Sequence, residues 1–257
     1  MDIRNAVAVI SGGASGIGEA CCRYLLELGA RGVSALDLND ERGERLAKEL
    51  GEKCMFVKTD VSDAGAVEAA LAATRTRFGA VHVAIACAGI TVPCKLLTRN
   101  GPIPLDRFDQ VIKVNLYGTL FLIRASVPMM LDNQPNEDGE RGVIINVSSG
   151  AAYEGQVGQI AYSASKAALV GMTMPLMREL STHGIRVVTI APGGFDTPIY
   201  ETVPPAVKEG IARQFLFPKR LGKAYEFALF VEEIIRNPIH NGRTYRFDSG
   251  NILSPTP

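Results

Sequence analysis

Apolar residues in this 257-residue chain come in two rhythms. Short, almost wholly apolar runs alternate with longer stretches whose apolar positions recur every three to four residues. The first run is Ala6-Val7-Ala8-Val9-Ile10; Ile17, Ala20, Cys21, Tyr24, Leu25 and Leu28 then share one helical face. A run that is apolar throughout suits a strand buried on both sides of a parallel sheet, and the 3.6-residue rhythm suits a helix laid against it. The pattern predicts further strands at 32–36, 54–57, 81–86, 143–147, 185–190 and 243–247, with helices over 63–78, 105–130, 161–181 and 224–235. This is the alternation of a single α/β domain: a doubly wound, mostly parallel, seven-stranded sheet with helices on both faces. No linker or internal repeat interrupts it. Right-handed crossovers would bring the ends of the first, fourth and fifth strands to one edge, so that Gly12, Gly89 and Ser149 share a crevice.

The first strand runs into Ser11-Gly12-Gly13-Ala14-Ser15-Gly16-Ile17-Gly18. Glycines here let the chain turn tightly and let its backbone approach a diphosphate held on the N–H groups of the following helix. A glycine-rich turn alone is weak, since it also serves as an ordinary strand-to-helix connection. The second strand ends at Asp37, about twenty residues further on. An acid at that tip accepts hydrogen bonds from ribose hydroxyls and repels a 2′-phosphate. The residues after it are Leu38, Asn39 and Asp40, with no arginine, so NAD is expected rather than NADP. The competing reading of Asp37 is a helix-capping acid.

Tyr162 and Lys166 are four residues apart on a predicted helix, and Ser149 stands thirteen positions before the tyrosine. Four-residue spacing puts both side chains on one face. The lysine cation is expected to pull the phenol below its ordinary value near ~10, which readies it to exchange a proton with a substrate oxygen. Such a pair is common on helix surfaces; its place after Ser148-Ser149 and the glycine turn gives it meaning. The spacing selects Ser149 for the chemistry and leaves Ser148 to pack or cap.

Together these segments resemble the short-chain dehydrogenase/reductase family from about residue 6 to the C-terminus. Ser11-Gly12, Gly16 and Gly18 resemble its Thr-Gly-x-x-x-Gly-x-Gly, and Asp60-Val61 its adenine-contacting Asp-Val. Cys87-Ala88-Gly89 resembles the end of its Asn-Asn-Ala-Gly, with Ala86 and Cys87 in place of the two asparagines. Asn115, Ser149, Tyr162 and Lys166 match its catalytic tetrad, and Pro192-Gly193 with Thr197 its nicotinamide segment. The resemblance implies a Rossmann-type fold. It also implies NAD held by the turn (Gly12, Ser15, Gly16, Ile17, Gly18), by Asp37, Asp60 and Val61, by Cys87, Ala88 and Gly89, by Tyr162 and Lys166, and by Pro192, Phe195 and Thr197. It implies a secondary alcohol held by Ser149 and deprotonated by Tyr162, Lys166 supporting the phenolate, and Asn115 anchoring a water that leads protons out.

Further stretches are similar to one subgroup, the type 2 3-hydroxyacyl-CoA dehydrogenases, which also act as 17β-hydroxysteroid dehydrogenases. These are 141–146, 154–159, 161–166, 184–187, 217–222 and 237–238, plus the polar insert 132–140. The subgroup implies a 3-hydroxyacyl-CoA substrate, with a hydroxysteroid or another secondary alcohol as the alternative, and a homotetramer. Its animal members also serve as a structural subunit in tRNA processing, a reading from another class.

Composition narrows the partners. Basic and acidic residues balance at 27 each, which gives no nucleic-acid footprint. No stretch reads as a membrane span. The N-terminus enters the first strand almost at once, so the cytoplasm is expected, with the mitochondrial matrix as the alternative. Five cysteines without a Cys-x-x-Cys pattern and three separated histidines suggest reduced thiols and no metal. Two readings stay open on the substrate side. Residues 194–218, with Ile199, Tyr200, Val203, Val207, Ile211, Phe215 and Phe217, form either a lid over an apolar substrate or a cover for the core. Gln156 and Gln159 either touch the substrate or face solvent.

Overall fold

A computed structural model of the chain describes residues 1–99, 101–198, 210, 212 and 215–255. The apolar runs become strands β1 (Val7–Ser11), β2 (Gly32–Asp37), β3 (Cys54–Lys58), β4 (Val83–Ala86), β5 (Gly142–Val147), β6 (Ile185–Pro192) and β7 (Thr244–Phe247). They form one sheet in the order β7-β6-β5-β4-β1-β2-β3. Every neighbouring pair is parallel, so the sheet is wholly rather than mostly parallel. The order reverses between β1 and β4, the place where such sheets open a crevice at their carboxyl ends.

Because side chains alternate along a strand, β1 supplies both halves of the core. Ala8 and Ile10 pack with helix α1 (Gly16–Glu27), α2 (Asp40–Leu50) and α7 (Ala224–Arg236), through Cys21, Leu25, Leu46, Phe227 and Val231. Val9 faces the other way, toward α3 (Ala64–Phe78) and α5 (Gly118–Leu131), through Leu71, Leu122 and Met130. Complete burial of a side chain such as Phe227 contributes roughly 1.5–3 kcal/mol.

Helix α4 (Leu105–Ile112) continues into α5 through a π-helical turn at Lys113–Tyr117. The run 105–131 is long and apolar enough, by composition, to cross a membrane. In this fold Leu122, Ile123 and Met130 are instead buried in the core, while Tyr117, Leu120 and Leu131 are exposed. The polar insert 132–140 is anchored at both ends: Asn133 donates to Val81 O at 2.7 Å, and buried Glu140 pairs with buried Arg186 at 2.7 Å.

Candidate active site

The carboxyl ends of β1, β4 and β5 open into a cleft of about 1040 Å³. Helix α6 (Ile160–Leu180) crosses beside it and carries Tyr162 and Lys166. From the glycine turn the cleft is lined by Gly12, Ser15, Gly16, Ile17 and Gly18, and from the strand tips by Asp37, Asp60, Val61, Cys87, Ala88 and Gly89. Ser149, Gln156, Gln159, Tyr162, Lys166, Pro192, Phe195 and Thr197 complete the expected set. Residues separated by more than a hundred positions therefore meet in one space.

Asn115 is the exception, because it lies behind the wall, fully buried, in the π-helical turn. Its Oδ1 accepts from Ile90 N at 2.8 Å; its Nδ2 donates to Ile90 O and to Ser165 Oγ, both at 3.0 Å. Asn115 thus ties the segment after β4 to α6. Gly89 fills the gap between them: a Cβ there would lie 3.3 Å from both Asn115 Oδ1 and Lys166 Nζ.

The glycine turn is shaped for a diphosphate. Gly12 has φ +66°, and a Cβ on it would stand 2.9 Å from Ala88 N; one on Gly18 would stand 2.1 Å from Gly12 O. Ser15 begins α1 without a side-chain cap, so the first-turn N–H groups have no partner from that side chain. Thr197 packs over Gly16 at 3.2 Å from the position its Cβ would take. At the far end, Asp37 holds the turn through Ala14 N (3.1 Å to Oδ2) and accepts from Asn39 N (3.1 Å to Oδ1) while facing the cleft. Asp60 Oδ1 accepts from Ser62 N and Ser62 Oγ, which fixes the loop after β3. A packed glycine cradle, an uncapped helix start and an acid at the β2 tip fit a dinucleotide with an unphosphorylated ribose.

At the Ser149 and Tyr162 end of the cleft, one expectation fails. Burial raises the Tyr162 phenol above 10, and a hydrogen bond with Ser149 lowers it only in part. Lys166 Nζ lies 5.8 Å from the tyrosine ring centre and donates to Val147 O at 2.8 Å. The lysine pulls less than sequence spacing implied because it is itself buried, which lowers its ammonium to about 8. Ser148 packs as expected, its Oγ donating to Lys166 O at 2.7 Å. Ser149 Oγ accepts from Ala151 N at 3.1 Å, which orients it at the cleft edge.

The substrate side is only partly as expected. Gln156 and Gln159 face the cleft, but they bond each other: Gln156 N donates to Gln159 Oε1 at 3.0 Å, and Gln159 Nε2 to Gln156 Oε1 at 3.2 Å. Gln156 Nε2 also donates to Ser254 O at 3.1 Å. Ile199, Tyr200, Val203, Val207 and Ile211 of the expected lid lie outside the described residues. Of its other members, Phe215 is buried against Gly194 and Phe217 is exposed. Asp248, Asn251 and Leu253 also line the cleft, which the sequence did not signal. Cys87, in place of an asparagine, keeps the strand link through Cys87 N to Ser11 O at 3.1 Å.

A parallel sheet reversing at β1 and β4, a dinucleotide cradle, and a serine, tyrosine and lysine at one end define a nicotinamide-dependent oxidoreductase. The model of the short chain dehydrogenase family matches residues 6–208, and the chain belongs to that family. Along 255 residues it is 45% identical to 3-hydroxyacyl-CoA dehydrogenase type-2 of Drosophila melanogaster, spanning 98% of this chain and 100% of that one. The crystal structure of 3-hydroxyacyl-CoA dehydrogenase type-2 from Mycobacterium avium superposes with a TM-score of 0.91 at 38% identity, covering 98% of both chains. A 3-ketoacyl-(acyl-carrier-protein) reductase from Brucella melitensis, complexed with NADH, superposes at 0.87 and 27% identity, covering 98% of this chain and all of that one.

Proposed function

We propose that the chain is an NAD(H)-dependent dehydrogenase that interconverts 3-hydroxyacyl-CoA and 3-ketoacyl-CoA. The observation that carries this reading is the meeting of Ser149, Tyr162 and Lys166 at one end of the dinucleotide cradle. Relatives of that name, matched along nearly the whole chain, support the substrate class. NAD supplies a hydride acceptor when bound, and NADH a hydride donor. The protein supplies position and charge.

In the reductive direction, Ser149 and Tyr162 hold the ketone oxygen by hydrogen bonds. Tyr162 gives its proton to that oxygen as negative charge develops there. Burial keeps the Tyr162 phenol protonated in the free protein, so the proton to be given is in place before the ketone arrives. Lys166, 5.8 Å from the ring centre, offsets the phenolate left behind. In the oxidative direction the same groups run backward, and Tyr162 removes the hydroxyl proton. Asn115 keeps the wall behind Lys166 closed and in register through its bonds to Ile90 and Ser165.

We further propose a homotetramer. Tyr117, Leu120 and Leu131 at α5 and Tyr225 and Leu229 on α7 are apolar and exposed, and copies of the chain could cover them.

The experiment is NADH oxidation with acetoacetyl-CoA, repeated with NADPH. Turnover with NADH and at least tenfold weaker use of NADPH would support the reading. Bound NADH with no turnover of the thioester would remove the substrate assignment and leave the family.

A further inference from the structure

The last residues of the described chain fold back over the substrate end of the cleft as a strap. Gln156 Nε2 holds Ser254 O at 3.1 Å, and Val157 N donates to Pro255 O at 3.0 Å. Arg246 anchors the other end: it pairs with Glu154 in the segment after Ser149, donates to Asp248 Oδ2 at 2.6 Å and to Asn251 O at 2.9 Å, and lies over the Tyr153 ring at 5.4 Å. Asn251 and Leu253 sit between these anchors and line the cleft. Chain connectivity places Asn251 between Asp248, which packs on Gly193, and Ser254, which packs on Gln156. This is the substrate end, away from Asp37 and Asp60.

Asn251 is 5% exposed, and its Oδ1 has no hydrogen-bond partner among the described residues. A buried carboxamide oxygen without a donor is destabilising, and a position on a cleft wall gives it a reason: the donor arrives with the ligand. The two glutamines nearby do not compete for this role, because their amides bond each other and the strap.

We propose that Asn251 is a specificity-determining residue that accepts a hydrogen bond from an amide N–H on the thioester arm of the substrate, with Leu253 as the apolar contact beside it. This rests on the 3-hydroxyacyl thioester reading above. Such a substrate carries its nearest amide N–H on the carrier arm, just beyond the sulfur. A simple 3-keto ester has none.

The test compares wild type and Asn251→Leu on two ketones, acetoacetyl-N-acetylcysteamine, which has that amide, and ethyl acetoacetate, which lacks it. The preference for the first over the second, as a ratio of kcat/KM values, should fall about tenfold in the variant, through KM of the thioester rather than kcat. A ratio within twofold of wild type overturns the proposal. NADH affinity, measured by fluorescence, should match wild type; a parallel loss of NADH binding would assign Asn251 to the fold or the cofactor and also overturn it. Failure of the wild type to reduce the thioester at all, with ethyl acetoacetate still reduced, is a separate result and sinks the substrate reading instead.

Discussion

Lys166 is a cation in a dry place, and that has a measurable cost. The residue is 4% exposed, and its Nζ donates to Val147 O at 2.8 Å. Burial lowers its ammonium from 10.5 to about 8. Between those two pH values the unfolded chain keeps a proton that the folded chain has released, so this group makes stability rise with pH across the window. Each pH unit is worth about 1.36 kcal/mol, so Lys166 alone adds on the order of 3 kcal/mol from about pH 8 to about pH 10.5. Lys166→Met removes the titration. It also leaves the Val147 carbonyl without this partner, an offset that does not change with pH. Urea unfolding of the nucleotide-free protein at about pH 7.5 and about pH 10.5 gives the wild-type-minus-variant difference, in which the other titrating groups cancel. That difference should become more favourable to wild type by about 3 kcal/mol at the higher pH. A difference that stays flat would refute the burial on which this reasoning rests, and with it the account of why the lysine fails to lower Tyr162 in the free protein.

Asn115→Leu should leave the part-buried Ile90 N–H and C=O and the buried Ser165 hydroxyl without this partner, roughly 2–4 kcal/mol; a thermal melt should show Tm lower by about 5–10 °C, together with reduced kcat. An unchanged Tm would mean that Asn115 does not brace the wall. Asp37→Ala removes the carboxylate at the β2 tip and should shift the kcat/KM preference for NADH over NADPH by at least tenfold toward NADPH; an unchanged ratio would assign Asp37 to the turn alone, through its bond to Ala14 N.

Strands and cofactor cradle were legible in the sequence because their physics is local. A strand buried on both faces must be apolar throughout, and a backbone that meets a diphosphate must be rich in glycine. Helix α6 was expected over 161–181 and runs from Ile160 to Leu180. What escaped depends on depth and on distant contacts. Tyr162 and Lys166 share a helix face as their spacing requires, yet burial decides where both titrate, and burial is not written in a four-residue spacing. Gln156 stood out for its place between Ser149 and Tyr162, but its amide is held by Ser254, 98 positions away. Asn251 and Leu253 sit in a short polar tail with no periodicity, so nothing local marked them as cleft wall. The π-helical turn that houses Asn115 lies within one apolar helical stretch and carries no signal of its own.

The most direct test of the central claim is single-turnover reduction of acetoacetyl-CoA by pre-bound NADH, with wild type and Tyr162→Phe compared at equal NADH occupancy. The phenylalanine keeps the ring and loses only the acid that Tyr162 is argued to be. A fall in the hydride-transfer rate of roughly a hundredfold or more, the scale of general acid catalysis, with NADH binding intact, is the expected result. A Tyr162→Phe protein that transfers hydride as fast as wild type would contradict the assignment of the reaction to this site.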